Sequence, residues 1–297
     1  VNGRSTINVT LSEDTELLDE VVVIGYGTQK KSDLSGAVAS VAAKDLQNRS
    51  TSDAAAALQG KAAGIQVMNF SGAPGQGAQI RVRGYSSNSG EIGPLLIVDG
   101  LQVDNIQYLD PSMIESMEIL KDAASAAIYG AQAGNGVVLI TTKKGASTGN
   151  GTINYDFKLT MQSLAKDPGV MNRKQFIDFK RMQGYDIDAE LARAGDDGKI
   201  DTDWTDATFG TGWAQQHGLT FSGGNDKGHY FMSLNYLNND GIVKGNKDTY
   251  ERLSTQINAD YKIKDWLTFT SQMGFTHGDS QSPQYSAGDQ STGNMFH

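Results

Sequence analysis

Cysteine is absent from the 297 residues. That excludes a disulfide scaffold, a thiolate zinc site and a cysteine nucleophile, and it fits an oxidising envelope compartment. Positive charge is in deficit: 25 Lys and Arg stand against 34 Asp and Glu, with the basic residues spread along the chain. A net charge of −9 argues against a nucleic-acid surface, so no nucleic-acid partner is expected. No apolar run approaches the ~20 residues of a membrane-spanning helix. The four histidines, His217, His229, His277 and His297, lack metal-ligand spacing. No Ser-His-Asp set, paired acids or nucleophile elbow stands out. Catalytic residues, a metal and a cofactor are therefore not expected. Proline is scarce at 5 and glycine abundant at 35, without low-complexity repetition. The length suits one large or two ordinary domains. The chain opens at Val1 in mid-pattern, without Met or a signal peptide.

The stretch from Leu18 to Gly27 stands out instead. Four strand-forming residues, Val21, Val22, Val23 and Ile24, follow the acids Asp19 and Glu20 and run into Gly25-Tyr26-Gly27. Such an extended segment seeks a sheet edge to pair with, whether within its own domain or on a partner. Upstream, Ile7 to Leu11 alternates as a half-buried strand whose partners lie elsewhere, which reads residues 1–17 as the end of a small β-sandwich. Residues 29–33 form a polar linker.

Residues 34–145 read as a compact α+β domain. Strands are expected at Val38–Val41, Gly64–Val67, Ile80–Gly84, Pro94–Val98 and Val137–Thr142. Ser52-Asp53 caps a short alanine-rich helix that stops at Gly60. Asp110-Pro111-Ser112 predicts a second helix with Ile114, Met117 and Ile119 on its apolar side. Another is expected from Ala123 to Ile128. Gly72–Gly77 is glycine-rich but lacks the Gly-Lys-Ser/Thr ending and following helix of a phosphate loop. Arg81 and Arg83 share one strand face, either solvated or paired with carboxylates.

The second half alternates. Ile153, Tyr155, Phe157, Leu159 and Met161 interleave with polar residues, and so do Tyr230 to Tyr236 and Thr255 to Tyr261. Strands also start at Leu219-Phe221 and Leu267-Phe269. Connections alternate short (223–228, 262–265) and long (165–213, 238–251), as in a transmembrane barrel. A soluble sandwich has the same alternation. The acidic run 196–203 does not keep EF-hand spacing.

Taken in order, several motifs resemble one family. They are Asp-Glu-Val-Val-Val-Ile-Gly-Tyr-Gly at 19–27, Leu-Gln-Gly-Lys-Ala-Ala-Gly-Ile at 58–65, Ile-Arg-Val-Arg-Gly at 80–84 and Pro-Leu-Leu-Ile-Val-Asp-Gly at 94–100. Ile114 to Gly130 and Gly134 to Gly145 continue the series. Together they resemble the plug domain and first barrel strands of SusC-like (RagA-type) TonB-dependent outer-membrane transporters. The resemblance implies an α+β plug domain followed by an antiparallel transmembrane β-barrel of which only the first strands are present, the full barrel closing with about 22. The expected divisions are 1–17, the end of the sandwich; 18–33, TonB box and linker; 34–145, plug; and 146–297, first strands and loops of the barrel. Asp19, Glu20, Val21, Val22, Val23 and Ile24 would be the TonB box. Arg81 and Arg83 would meet the barrel wall, and Tyr85 and Tyr108 (or Tyr129) would contact substrate. The implied activity is import across the bacterial outer membrane, with the plug and box open to the periplasm. Oligosaccharide is the expected cargo, with peptide as the variant. The implied partners are TonB with its inner-membrane energising complex, a SusD-like surface lipoprotein and outer-membrane lipid. A siderophore or cobalamin receptor is the neighbouring alternative, and a soluble β-rich binding or adhesion fragment the distant one.

Overall fold

The computed structural model describes residues 21–24, 27–30, 38–49, 51–82, 93–122, 126–145, 151–167, 169–245 and 247–283. Asp19, Glu20, Arg83, Tyr85, the strand expected at Ile7–Leu11 and part of the polar linker lie outside them. Strands β1 (Val21–Ile24) and β2 (Gly27–Lys30) pair antiparallel as a hairpin, Val22 opposite Gln29.

A five-stranded mixed sheet forms the centre of the first domain, in the order β3 (Val38–Ala42), β8 (Ile114–Leu120), β9 (Val137–Thr142), β6 (Leu95–Val98), β7 (Leu101–Val103). Beside it lies the hairpin of β4 (Ile65–Met68) and β5 (Gln79–Val82). The sheet's central strands β8 and β9 are buried on both faces over most of their length. Val138 and Ile140 join Leu46, Leu58, Ile114 and Met117 in one apolar cluster, while Val137 and Leu139 join Ile97 and Leu120 in the other. A strand alternates its side chains between faces, so an unbroken apolar run is what a doubly covered strand requires.

That requirement overturns the helix expected after Asp110. The proline signature belongs to one 3-10 turn, Pro111–Met113, where the Asp110 carboxylate accepts from the Ser112 amide at 2.9 Å. The chain then runs extended through Ile114–Leu120 between β3 and β9. Central position and burial on both faces removed the alternation that marks a strand. The cap at Asp53 is as expected: its Oδ1 accepts from the Ala55 amide at 2.8 Å at the start of α2 (Ala54–Ala57). Helix α1 (Ala43–Gln47) continues directly from β3 and buries Leu46.

Five long antiparallel strands follow in simple meander order: β10 (Thr152–Gln162), β11 (Gly212–Asn225), β12 (Gly228–Asp240), β13 (Thr249–Lys264) and β14 (Leu267–Gln281). Two-residue turns join β11 to β12 and β13 to β14, while residues 163–211 and 241–248 make the longer connections at the opposite end. The first of these, read from sequence only as a long connection, contains helices. It carries α3 (Arg173–Met182), closed by an Asn172/Gln175 capping box, α4 (Ile187–Arg193) and α5 (Trp204–Thr208). Few of its apolar side chains are covered: Phe176, Met182 and Trp204 are exposed.

Candidate functional site

The five-stranded sheet is inverted relative to a soluble one. Ser233, Asn235, Arg252, Ser254, Gln256 and Asn258 are buried, while Phe157, Met161, Met232, Leu234, Met273 and Phe275 are exposed. The polar face is covered by the first domain. Burying hydroxyls and amides costs free energy unless they are hydrogen-bonded, so the partners of this face define the seam.

Wall side chains donate across it to the first domain. Asn258, 2% exposed, donates from Nδ2 to the Thr142 hydroxyl and to the Lys143 carbonyl, both at 2.7 Å. Gln216 Nε2 donates to Oδ2 of Asp110, whose other oxygen holds the Ser112 amide. Arg252 donates to the backbone carbonyls of Gln107 and Ser52, the latter at 3.1 Å. The first contact extends inward. Thr142 donates from its amide and its hydroxyl to Asp99, at 2.9 and 2.5 Å, and Asp99 sits at φ +49° in the Asp99-Gly100 turn. Left-handed backbone is tolerated by Asp far better than by a β-branched residue. Asp99, Thr142 and Asn258 thus form one hydrogen-bonded chain from the β6–β7 turn to the wall. Where the first domain hands over to the strands, Gly145 has φ +98° and lies against the Tyr230 backbone, where a Cβ would clash. Nearby Lys143 is shifted down by burial, against the opposing pull of Glu115, Asp156 and Asp110. Removing Asn258 by Asn258→Ala should loosen docking by about 1–3 kcal/mol, the cost of orphaning two buried acceptors. Faster hydrogen exchange at 137–143 with unchanged exchange in the wall strands is the expected readout; equal exchange throughout would refute it.

At the end bearing the long connections, the seam opens into a cleft of about 290 Å³. Its floor is the Gly72–Gly77 loop with Ser52 and Gln107, and its wall is Gln162, Asn239, Tyr250 and Arg252. A second hollow of about 180 Å³ adjoins it, sharing Ser52, Gln162 and Asn239 and reaching Lys158 and Thr160. Tyr250 lies so close over Gly75, itself at φ +74°, that a Cβ there would come within 2.5 Å of the ring. Only glycine permits this approach.

Of the residues singled out from sequence, Val21–Ile24 form β1, which comes within 8 Å of β9, Cα to Cα. Arg81 is buried, 8% exposed, and lies over the Phe70 ring at 5.7 Å. Its neighbours Ile80 and Val82 are buried as well, while Gln79 at the start of β5 is exposed. Tyr108 is half-buried against the first core cluster, and burial, with the Asp99 charge, raises its hydroxyl pKa. Tyr129 packs against the second cluster. The acidic 196–203 run is committed to protein partners: Asp196 pairs with Arg173, Asp201 accepts from the Arg173 amide at 2.7 Å, and Asp203 caps α5. The paired guanidinium holds the Asp196 carboxyl below the usual range. No group able to hold a metal occurs among the described residues. Sequence reading missed Gln216, Arg252 and Asn258. Their one signal was a polar side chain at every second position of an otherwise apolar strand.

Residues 30–137 match the TonB-dependent receptor plug domain family. The chain is 36% identical over 286 residues to TonB-dependent receptor SusC of Bacteroides thetaiotaomicron, covering 93% of this chain and 28% of SusC. It is 38% identical over 280 residues to TonB-dependent receptor P39 of Formosa agariphila, covering 93% of this chain and 27% of that one. The RagAB peptide importer in its open-open state superposes with a TM-score of 0.77 at 29% identity, over 90% of this chain and 33% of that chain. The siderophore receptor PirA of Acinetobacter baumannii shares the fold, with a TM-score of 0.53 at 20% identity over 82% of this chain and 32% of that chain. The chain therefore spans less than a third of the length of the curated relatives named.

Proposed function

The chain is SusC-like, with a TonB-dependent receptor plug domain at residues 30–137, and on that premise we propose that it imports a nutrient across the bacterial outer membrane, energised through TonB. The observation that carries this reading is the inverted sheet: hydrogen-bonding side chains turn to the plug, and an apolar face is left for lipid. Only closed barrels and helices satisfy every backbone group in hydrocarbon. The five strands are then an arc of a larger wall, with the two-residue turns toward the periplasm and the helix-bearing connection outside.

Cargo enters the cleft beside Gln162, Asn239 and Tyr250, whose amides and hydroxyl suit an oligosaccharide or a peptide. The similarity to a peptide importer supports the second and SusC-likeness the first. Exposed Phe176, Met182 and Trp204 on the outer helices give a SusD-like lipoprotein an apolar surface to cover. On the other side, residues 19–24 act as the TonB box. Strand β1 has β2 as its one sheet neighbour among the described residues, so an edge remains for a partner strand. Isolation from native outer membranes in mild detergent tests the reading. A heat-modifiable barrel with a bound lipoprotein is expected. A barrel without the lipoprotein would favour the siderophore-receptor type, and a chain soluble without detergent would overturn membrane import.

A further inference from the structure

Arg252 carries a buried positive charge that makes no ion pair among the described residues. It projects from the inner face of β13 and is 3% exposed. Its two Nη atoms donate to neutral backbone carbonyls, those of Ser52 and Gln107, and its buried Nε has no hydrogen-bond partner. Asp53, which lines the same cleft, makes no ion pair with it; its oxygens accept from the amides of Ala55 at 2.8 Å and Ala78 at 2.7 Å. A guanidinium taken from water and met only by carbonyls repays little of its desolvation. The same side chain lines the cleft, together with the two residues it holds, and Lys158 adds a second positive charge in the adjoining hollow.

We propose that Arg252 is the binding site for a carboxylate of the solute, and that taking the carboxylate frees the plug at Ser52 and Gln107. The source of the carboxylate rests on the importer reading; the switch itself does not. A carboxylate matches the guanidinium fork with two charge-assisted bonds, each roughly twice as strong as a neutral one. The guanidinium that turns to it leaves two plug carbonyls without donors. Those carbonyls belong to plug segments distant in sequence, so a single side chain fastens both. Ser52 directly precedes Asp53, whose carboxylate joins α2 to the residue before β5. Release at Ser52 is thereby passed to the β4–β5 hairpin.

Hydrogen exchange at residues 51–56 and 105–110 of the detergent-purified receptor reads the switch directly. Two probes carry the carboxylate, trigalacturonate and an acetylated tetra-alanine with a free C-terminus. Each is compared with its uncharged counterpart, the carboxyl-reduced sugar or the amidated peptide. One charged probe is expected to speed exchange in both segments roughly tenfold over its neutral partner, about one charge-assisted hydrogen bond's worth. The active probe identifies an acidic sugar or a peptide end as the source. In Arg252→Gln the two segments should exchange fast from the outset and ignore both probes. Arg252→Lys, which keeps the charge and one donor group, should fall between and guards against misfolding of the Gln variant. No response to either charged probe in the wild type, or an undiminished response in Arg252→Gln, overturns the proposal. Failure of energised uptake in cells would count against the importer reading and leave these exchange results untouched.

Discussion

On the proposed import function, a Val22→Pro receptor is expected to bind its solute normally and to import less than about one per cent of the wild-type amount. Proline removes the backbone donor at the middle of β1 and cannot continue a paired strand on that side. Val22 pairs with Gln29 in the hairpin, whereas the cleft is lined by plug residues of 51–77 and 107 and by wall residues. Strand addition to a partner draws its affinity from main-chain bonds. Losing two of them with their register removes about 3 kcal/mol, more than a hundredfold. Val22→Ile keeps both the donor and the β-branched side chain and should transport normally. Uptake by energised cells, set beside binding to the same cells with the proton gradient collapsed, separates the two steps. Wild-type uptake by the proline variant would remove β1 from the energised step.

The second large effect is expected at the sheet's outer face. Leu234 is 43% exposed at the middle of β12, flanked across the strands by Leu219 and Thr255. Leu234→Arg should cost the whole receptor about 2–4 kcal/mol in a bilayer, the depth-dependent penalty for arginine near the midplane. At a water-facing position the same change would fall within about 0.5 kcal/mol. Urea unfolding of the receptor in lipid vesicles distinguishes the two, with Leu234→Val as the control for strand packing. A near-zero cost for arginine would mean that this face meets water or protein rather than lipid.

The strands of the wall were legible because period-two alternation is a local property, visible wherever one face is polar and the other apolar. The plug was less so. Ile114–Leu120 lost its alternation by being covered on both faces, and the proline before it, needed for a single 3-10 turn, mimicked a helix start. The helices of 163–211 were missed differently: α3 gathers Phe176, Ile177 and Phe179 at helical spacing, but the segment was read only as a long connection between strands, and α3 has no buried residue. The seam shows the deeper difficulty. Asn258 and Gln256 were visible as polar positions, but nothing local distinguishes an amide that meets water from one that meets Thr142.

By itself the sequence determined the period-two alternation, the Asp53 cap and the family, each resting on neighbours a few residues apart or on ordered motifs. Only the tertiary structure decided which polar side chains are buried, and against what. Asp99, Thr142 and Asn258 meet across more than a hundred positions of chain, and Arg252 reaches Ser52 across two hundred. Such pairs exist because the wall closes its polar face over the plug. Burial turns each of those side chains from a solvated group into one that must find a partner.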